Sequence, residues 1–290
     1  MKKHILIVTL ILTVTSCDIV EGPYITNSDS YVNPDKKVLI EDFTGHLCPN
    51  CPDAAREIEA IHDIYGEQII ALAIHVSTSF ARPYFANQAP SFQYDFRTEW
   101  GDNWDNYYNI SINGLPRGMI NRIGYQDESH ALGKDEWASI VASELKKETD
   151  FSISISANTE EITVFSTLEN TVINNYNLVV CLAENNIINW QKDGQNNIAD
   201  YQHNHVLRSV IYDDKISNQN TLAGGTVLEN TFNINVNELE QYNIDYSNNS
   251  AEAGNGNAGG WNADNMSVIA YIYNNITNEI VQVEEVDLNN

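Results

Sequence analysis

Two cysteines separated by two residues, Cys48 and Cys51, stand between a predicted buried strand at residues 38–43 and an amphipathic helix that begins at Pro52. The helix prediction depends on apolar residues spaced three and four apart. The N-terminus of such a helix carries partial positive charge, which stabilises a thiolate at Cys48 and lowers the pKa of that thiol. Cysteines at this spacing can also close a disulfide across the first turn. We therefore expect Cys48 to be an exposed nucleophile and Cys51 to be the resolving thiol.

The N-terminus has the pattern of a lipoprotein export signal over residues 1–16. Lys2 and Lys3 precede an apolar run at residues 5–14, which is too short to cross a bilayer. The run ends in residues 14–17, which resemble the bacterial lipobox and imply acylation of Cys17 by fatty acids such as palmitate. An ordinary signal peptide with a chance cysteine is the alternative. Residues 17–36 are predicted to be a flexible tether.

The charge is strongly acidic, with 15 Lys and Arg against 40 Asp and Glu and a net charge of -25. A nucleic-acid partner is excluded because it requires a basic surface. An anionic membrane would repel the chain, so the predicted membrane partner is lipid, through acylated Cys17. Solubility explains the acidity, and binding of a specific cation or of a cationic partner is the alternative. An exported compartment also favours a redox-active or oxidised pair over zinc at the two cysteines.

The remaining pattern divides the chain near residue 150. Residues 37–150 predict an α/β domain with a buried strand at 69–76, an aromatic-rich helical insertion at 77–112, a strand at 118–122 and a helix at 135–149. Residues 151–290 predict about seven antiparallel strands, which is typical of an immunoglobulin-like β-sandwich. Residues 245–265 are expected to be a long loop. Cys181 reads as a buried, unpaired strand residue.

The first domain resembles the thioredoxin superfamily at three positions. The C-x-x-C lies at a strand–helix junction, Asp42 precedes Cys48 by six residues, and Leu115-Pro116 precedes a strand. The resemblance implies that Asp42 assists deprotonation of Cys51 and that Pro116 is a cis-proline that positions the substrate. Leu47 departs from the tryptophan that is usual in thioredoxins.

A second resemblance spans nearly the whole mature chain. Residues 41–45, 73–75, 116–118, 121–122 and especially 201–208 together resemble the Bacteroidetes outer-membrane lipoproteins of the 28-kilodalton outer-membrane-protein family. This resemblance implies a lipid-anchored protein of the cell envelope, in the outer membrane, with a thioredoxin-like domain followed by a β-domain. It implies no defined reaction.

Several polar residues keep two interpretations. His75 is either a residue that tunes the redox pair or a structural histidine. His203 and His205 are expected on one face of a strand, as a zinc pair or in a structural role. The oxygen-rich residues 193–197 and 245–265 are either calcium sites or ordinary turns. We predict no metal site and no cofactor.

Two functions remain open. The first is a thiol–disulfide oxidoreductase that acts on exported protein thiols or disulfides through Cys48, Cys51, Asp42 and Pro116. The second is a non-catalytic outer-membrane lipoprotein in which Cys48 and Cys51 form a structural disulfide and the fold acts as a binding or scaffold module.

Overall fold

The structure is a computed structural model that describes residues 32–84 and 89–289. These residues belong to one compact unit, Val32–Asn290. The predicted signal peptide, the acylated Cys17 and most of the predicted tether lie outside the described residues.

The N-terminal part alternates strands and helices, as the hydrophobic periodicity predicts. Its elements are β1 (Val38–Thr44), α1 (Cys51–Tyr65), β2 (Ile69–His75), α2 (Glu99–Tyr108), β3 (Arg117–Ile120) and α3 (Lys134–Glu144). Strand β2 is a near-continuous apolar run, and β1 is apolar except at Glu41, Asp42 and Thr44. Both strands are buried almost throughout, as expected for strands covered on both faces.

The C-terminal part is rich in strands. Its elements are β4 (Phe151–Ala157), β5 (Glu161–Leu168), β6 (Val172–Ile173), β7 (Tyr176–Glu184), β8 (Ile187–Asp193), β9 (Asn196–His203), β10 (Val206–Lys215), β11 (Thr221–Leu222), β12 (Val227–Asn233), α4 (Val236–Asn249), β13 (Met266–Asn274) and β14 (Ile280–Asp287). The predictions of an α/β N-terminal part and a β-rich C-terminal part are confirmed.

A seven-stranded mixed sheet connects the two parts, in the order β14-β13-β7-β10-β2-β1-β3. Strands β1 and β2 are parallel, and β3 is antiparallel to β1. Strand β10 pairs with β2 at Val206 and Ala73 and with β7 along its other edge. The sheet is therefore continuous across residue 150, where the sequence predicts a boundary between domains.

Alternate residues of the central strands bury opposite faces of this sheet. On β7, Val179 and Cys181 belong to the core shared with the cysteine pair, whereas Leu178 and Val180 belong to a second core. The second core also receives the apolar face of the three-stranded sheet β12-β5-β4. Strands covered on both faces need apolar side chains at nearly every position, which explains the continuous run at residues 178–183.

Two segments differ from the sequence-based expectations. The predicted loop at residues 245–265 begins inside α4, where the Asn235 side chain accepts hydrogen bonds from the backbone N–H groups of Asn237 and Glu238 and caps the helix. Strands β8 and β9 form a hairpin that was not predicted, and its two-residue turn begins at Gly194, with φ 58°. Glycine at the first central position of a two-residue turn, here Gly194, is the signal that identifies it.

Candidate functional site

Cys48 and Cys51 form a disulfide at the junction of β1 and α1. A turn closed by the Cys48 N–H and the Gly45 carbonyl oxygen, 2.9 Å apart, delivers the chain from the strand to the helix. Cys51 is the first residue of α1, and Pro52 occupies the first turn, where its missing N–H has no helical partner to lose. The sequence-based prediction of a disulfide at this junction is confirmed.

The disulfide is buried. Cys48 is 0% exposed and Cys51 is 3% exposed, so the structure does not present the exposed Cys48 sulfur that the motif predicts. Both sulfurs join a core that contains Leu39, Phe43 and Leu115. The reason lies in the segments that cover the motif, which are distant in sequence.

The β8–β9 hairpin covers the C-x-x-C loop through backbone hydrogen bonds. The Lys192 N–H donates to the His46 carbonyl oxygen at 2.9 Å, and the Gly194 N–H donates to the Pro49 carbonyl oxygen at 2.8 Å. These bonds hold the end of β8 along the loop. Asp193, one of the residues considered for calcium, accepts instead from Arg56 at 3.1 Å.

The Gln191 side chain adds hydrogen bonds between β8 and the C-x-x-C loop. Its Nε2 donates to the Cys48 carbonyl oxygen at 3.1 Å and to the Gly45 carbonyl oxygen at 3.4 Å, and the residue is 3% exposed. From the opposite side, the Leu47 N–H donates to the Phe80 carbonyl oxygen at 2.8 Å. The disulfide is thus enclosed by a hairpin and by the segment that follows β2.

A cavity of about 130 Å³ adjoins the disulfide on the Cys51 side. Its polar lining includes Asp42, His75, His203 and His205, which arrive from β1, from β2 and from the chain around the β9–β10 connection. Cys51 lines this cavity, and Cys48 does not. The structure therefore brings predicted site residues Asp42 and Cys51 to one space, together with three histidines.

Asp42 is buried, 3% exposed, and its Oδ1 has no hydrogen-bond partner among the described residues. Burial without a compensating cation raises the pKa of Asp42 from 3.8 to about 7. The carboxyl group therefore changes protonation near neutral pH, which is the range in which a general acid or base exchanges protons with thiols.

The histidines beside the cavity are kept neutral by burial. Loss of hydration lowers the pKa of His203 to about 3, and burial together with the nearby His203 and His46 rings lowers that of His75 well below its usual value. The His75 and His203 rings both pack against Phe96, each with its centroid 4.5 Å from the Phe96 ring, and their own centroids are 5.7 Å apart. Within the described residues, His75 Nδ1, His203 Nε2 and His205 Nδ1 have no hydrogen-bond partner.

The prediction that His203 and His205 lie on one face of a strand is wrong. His203 ends β9, whereas His205 lies in the connection to β10 with φ 57°, so the two are not on one strand face. Across the described residues, no group of three or more His, Cys, Asp or Glu side chains has a geometry that could hold a metal ion.

Pro116 precedes β3, and its peptide bond with Leu115 is cis. Leu115 packs in the same core as both cysteines, while Pro116 is half-buried. Strand β3 pairs with β1 so that Gly118 lies opposite Asp42. The chain thus places Pro116 at the edge of the sheet that carries the site.

A family model described as Outer membrane protein Omp28 matches residues 102–251, just over half of the 290 residues. The chain belongs to the Omp28 family. This membership places it in the outer membrane of the cell envelope and confirms both the family and the location that the motifs predict. No curated protein matches the chain.

Solved structures share the fold of this Omp28-family chain at low sequence identity. HBP35 of Porphyromonas gingivalis superposes with a TM-score of 0.57 at 15% identity, covering 88% of this chain and 76% of its own. Protein AGR_C_4864 from Agrobacterium tumefaciens gives a TM-score of 0.50 at 12% identity, with 88% and 95% coverage. A domain of the outer membrane lipoprotein Omp28 from Porphyromonas gingivalis covers 49% of this chain and 91% of its own at 17% identity, but its TM-score of 0.25 supports no argument.

Within the part of this Omp28-family chain that the structure describes, no helix is both long and apolar enough to cross a membrane.

Proposed function

We propose that this Omp28-family protein carries out thiol–disulfide exchange through Cys48 and Cys51. The observation that carries the proposal is the shared cavity of Cys51 and Asp42, in which Asp42 is buried and its Oδ1 has no hydrogen-bond partner among the described residues. Burying an unpaired polar group costs folding free energy. A disulfide that only cross-links the chain gains nothing from such a group, whereas a disulfide that is reduced and re-formed needs a nearby proton acceptor.

The proposed chemistry divides the roles of the two sulfurs. When the pair is reduced, the N-terminus of α1 stabilises a thiolate on Cys48. The Asp42 carboxylate accepts the proton of the Cys51 thiol, and the Cys51 thiolate can then close the disulfide again. Because burial raises the Asp42 pKa to about 7, this carboxylate is a stronger base than an exposed one.

The proposal also covers the fold type of each part of the chain, the membrane anchor and the partners. We infer a thioredoxin-like arrangement of β1, α1, β2, β3 and α3, followed by an immunoglobulin-like arrangement of the C-terminal strands. Fatty-acyl chains on Cys17 would anchor the protein to the outer membrane. Exported proteins are the proposed partners of the redox pair, and Pro116 is proposed to position their backbone. Their access to Cys48 requires movement of the β8–β9 hairpin, since Cys48 is fully buried beneath it.

Reduction kinetics of the folded chain test the proposal. The full chain is incubated with dithiothreitol over a series of urea concentrations below the unfolding transition, and free thiols are trapped by alkylation and counted by mass spectrometry. We expect a reduction rate that depends on urea less steeply than global unfolding does, because only the hairpin moves, and a roughly tenfold slower rate for Asp42→Asn near neutral pH. The exposed residue Asp63 gives the control Asp63→Asn, which should not change the rate.

A structural disulfide gives the opposite kinetics. Its reduction would need unfolding, so the rate would rise with urea in parallel with the unfolding rate and would not respond to Asp42→Asn. That result would refute the redox proposal. It would favour the second candidate, a binding or scaffold module, for which the complete burial of Cys48 is the supporting observation.

A further inference from the structure

The two sulfurs of the disulfide differ in what lies beside them. Cys48 is 0% exposed, and the Gln191 side chain and the backbone of β8 cover its loop. Cys51 is 3% exposed and is part of the wall of the 130 Å³ cavity. Cys51 therefore borders existing space, whereas an approach to Cys48 requires the hairpin to leave.

The open side of the cavity lies between α1 and β9. Ala55 and Glu59 line it from the helix, and Tyr201 and Gln202 line it from the strand. Glu59 and Gln202 are exposed, so they mark the side that faces solvent, while Asp42 and His75 are buried at the inner end. The cavity is therefore a short channel that leads from the surface to Cys51.

The size of the channel limits what can occupy it. A cavity of about 130 Å³ accommodates a thiol of a few heavy atoms. The lining includes Asp42, His75 and His203, so the wall of the cavity suits a polar guest.

We propose that a small polar thiol enters this channel and reduces the disulfide by attacking Cys51 rather than Cys48. The inference rests on the proposed thiol–disulfide exchange and adds its reductant: a low-molecular-weight thiol that needs no movement of the hairpin. Exchange with exported proteins at Cys48 is a separate event that does need such movement.

The reaction balances with two molecules of thiol. The Asp42 carboxylate takes the proton of the first thiol, whose sulfur bonds to Cys51 Sγ. The Cys48–Cys51 bond breaks, and its electron pair remains on Cys48 Sγ at the N-terminus of α1. A second thiol attacks the bound reagent and releases a small disulfide, while the Cys51 sulfur takes the proton held by Asp42. The proton of the second thiol goes to Cys48 or to solvent, so two thiols are oxidised to one disulfide and the protein gains a dithiol.

Two single-thiol variants of the full chain test which sulfur is accessible. Cys48→Ser leaves Cys51, and Cys51→Ser leaves Cys48, each in a Cys17→Ser background. Both react with cystamine, a small disulfide, and adduct formation is followed by intact and peptide mass spectrometry. We expect Cys51 to react at least roughly tenfold faster than Cys48, as a barrier lower by about 1.4 kcal/mol would give. The variant lacking both cysteines measures the background from buried Cys181.

Blocking the channel tests the route with the native disulfide intact. Ala55→Leu places a larger side chain in the channel wall, and Ala60→Leu makes the same change at an exposed position of the same helix. Each chain is reduced with 2-mercaptoethanol and, separately, with the larger thiol glutathione. The rate with 2-mercaptoethanol divided by the rate with glutathione, measured in denaturant, gives the intrinsic reactivity ratio of the two thiols. We expect this ratio to be roughly tenfold larger in the folded chain than in denaturant. We also expect Ala55→Leu, and not Ala60→Leu, to slow reduction by 2-mercaptoethanol.

The outcomes separate this inference from the proposed function. Faster reaction at Cys48, or a native ratio equal to the denatured ratio, overturns access through the channel and leaves thiol–disulfide exchange standing. Reduction that occurs only with unfolding overturns both. Slowing by Ala55→Leu and not by Ala60→Leu supports the channel even where a single-thiol variant fails to fold.

Discussion

Asp42→Asn should change how the stability of the protein depends on pH. Burial raises the pKa of Asp42 from 3.8 to about 7. Between these values the folded chain holds a proton on Asp42 that the unfolded chain releases, so the stability from this group is complete below about pH 4 and is lost as pH rises towards 7. The two pKa values differ by roughly three pH units, and each unit changes the free energy of unfolding by about 1.4 kcal/mol, so the free energy of unfolding changes by about 4 kcal/mol in all.

Buried histidines change the stability in the opposite direction over part of the same range. Burial lowers the pKa of His46 to about 4 and that of His203 to about 3, and that of His75 falls well below its usual value of 6.5. Protons bind these groups in the unfolded chain first, so their contribution to stability is lost as pH falls below 6.5. The Asp42 effect must therefore be measured as the difference between wild type and Asp42→Asn.

Urea unfolding of the oxidised chains, at several values between about pH 4 and about pH 8, measures this difference. Asparagine has nearly the shape of aspartate and no titrating proton. As pH rises over that range, the free energy of unfolding of Asp42→Asn should therefore increase by about 4 kcal/mol relative to that of wild type. Asp63→Asn is the exposed control and should show no comparable trend. A difference between wild type and Asp42→Asn that stays constant with pH would refute the reasoning that burial governs this carboxyl group.

Two further predictions concern contacts around the site. Glu41 and Arg122 are both buried, with the Arg122 Nε donating to Glu41 at 2.8 Å, so Arg122→Met should lower the free energy of unfolding by about 3–5 kcal/mol because it leaves a buried charge unpaired. Adding Glu41→Gln should restore part of that loss in urea titrations; a loss below about 1 kcal/mol, as for exposed pairs, would contradict the assignment. Gln191→Leu removes the donor to the Cys48 and Gly45 carbonyl oxygens, should cost about 1–3 kcal/mol, and should speed alkylation of reduced Cys48. An unchanged alkylation rate would show that this side chain does not restrict access.

Local patterns were enough to predict the strand–disulfide–helix unit. The apolar run of β1, the spacing of Cys48 and Cys51 and the amphipathic face of α1 all lie within about thirty consecutive residues. Short-range hydrogen bonds and helix periodicity determine such a unit, so they can be read from the sequence. The alternation in residues 151–157 and 161–168 likewise predicted β4 and β5.

The position of the β8–β9 hairpin could not be predicted from local sequence patterns. Gly194 at the first central position of its turn is a recognisable local signal, but nothing local indicates what the hairpin covers. The hydrogen bond from Gln191 to Cys48 joins residues 143 positions apart. Side-chain burial at Cys48 is a property of that distant contact, which is why the motif predicted an exposed sulfur.

The sequence by itself determined a disulfide at the start of a helix, an acidic residue six positions before it, a β-rich second half and a location in the outer membrane. Only the tertiary structure decided that Cys48 is enclosed, that Cys51 borders a cavity and that three histidines line this cavity together with Asp42. The physical reason is that interactions between residues close in sequence determine secondary structure and local spacing. Solvent access to the cysteines, and the desolvation and pKa of Asp42, depend instead on strands that are brought together across the whole sheet.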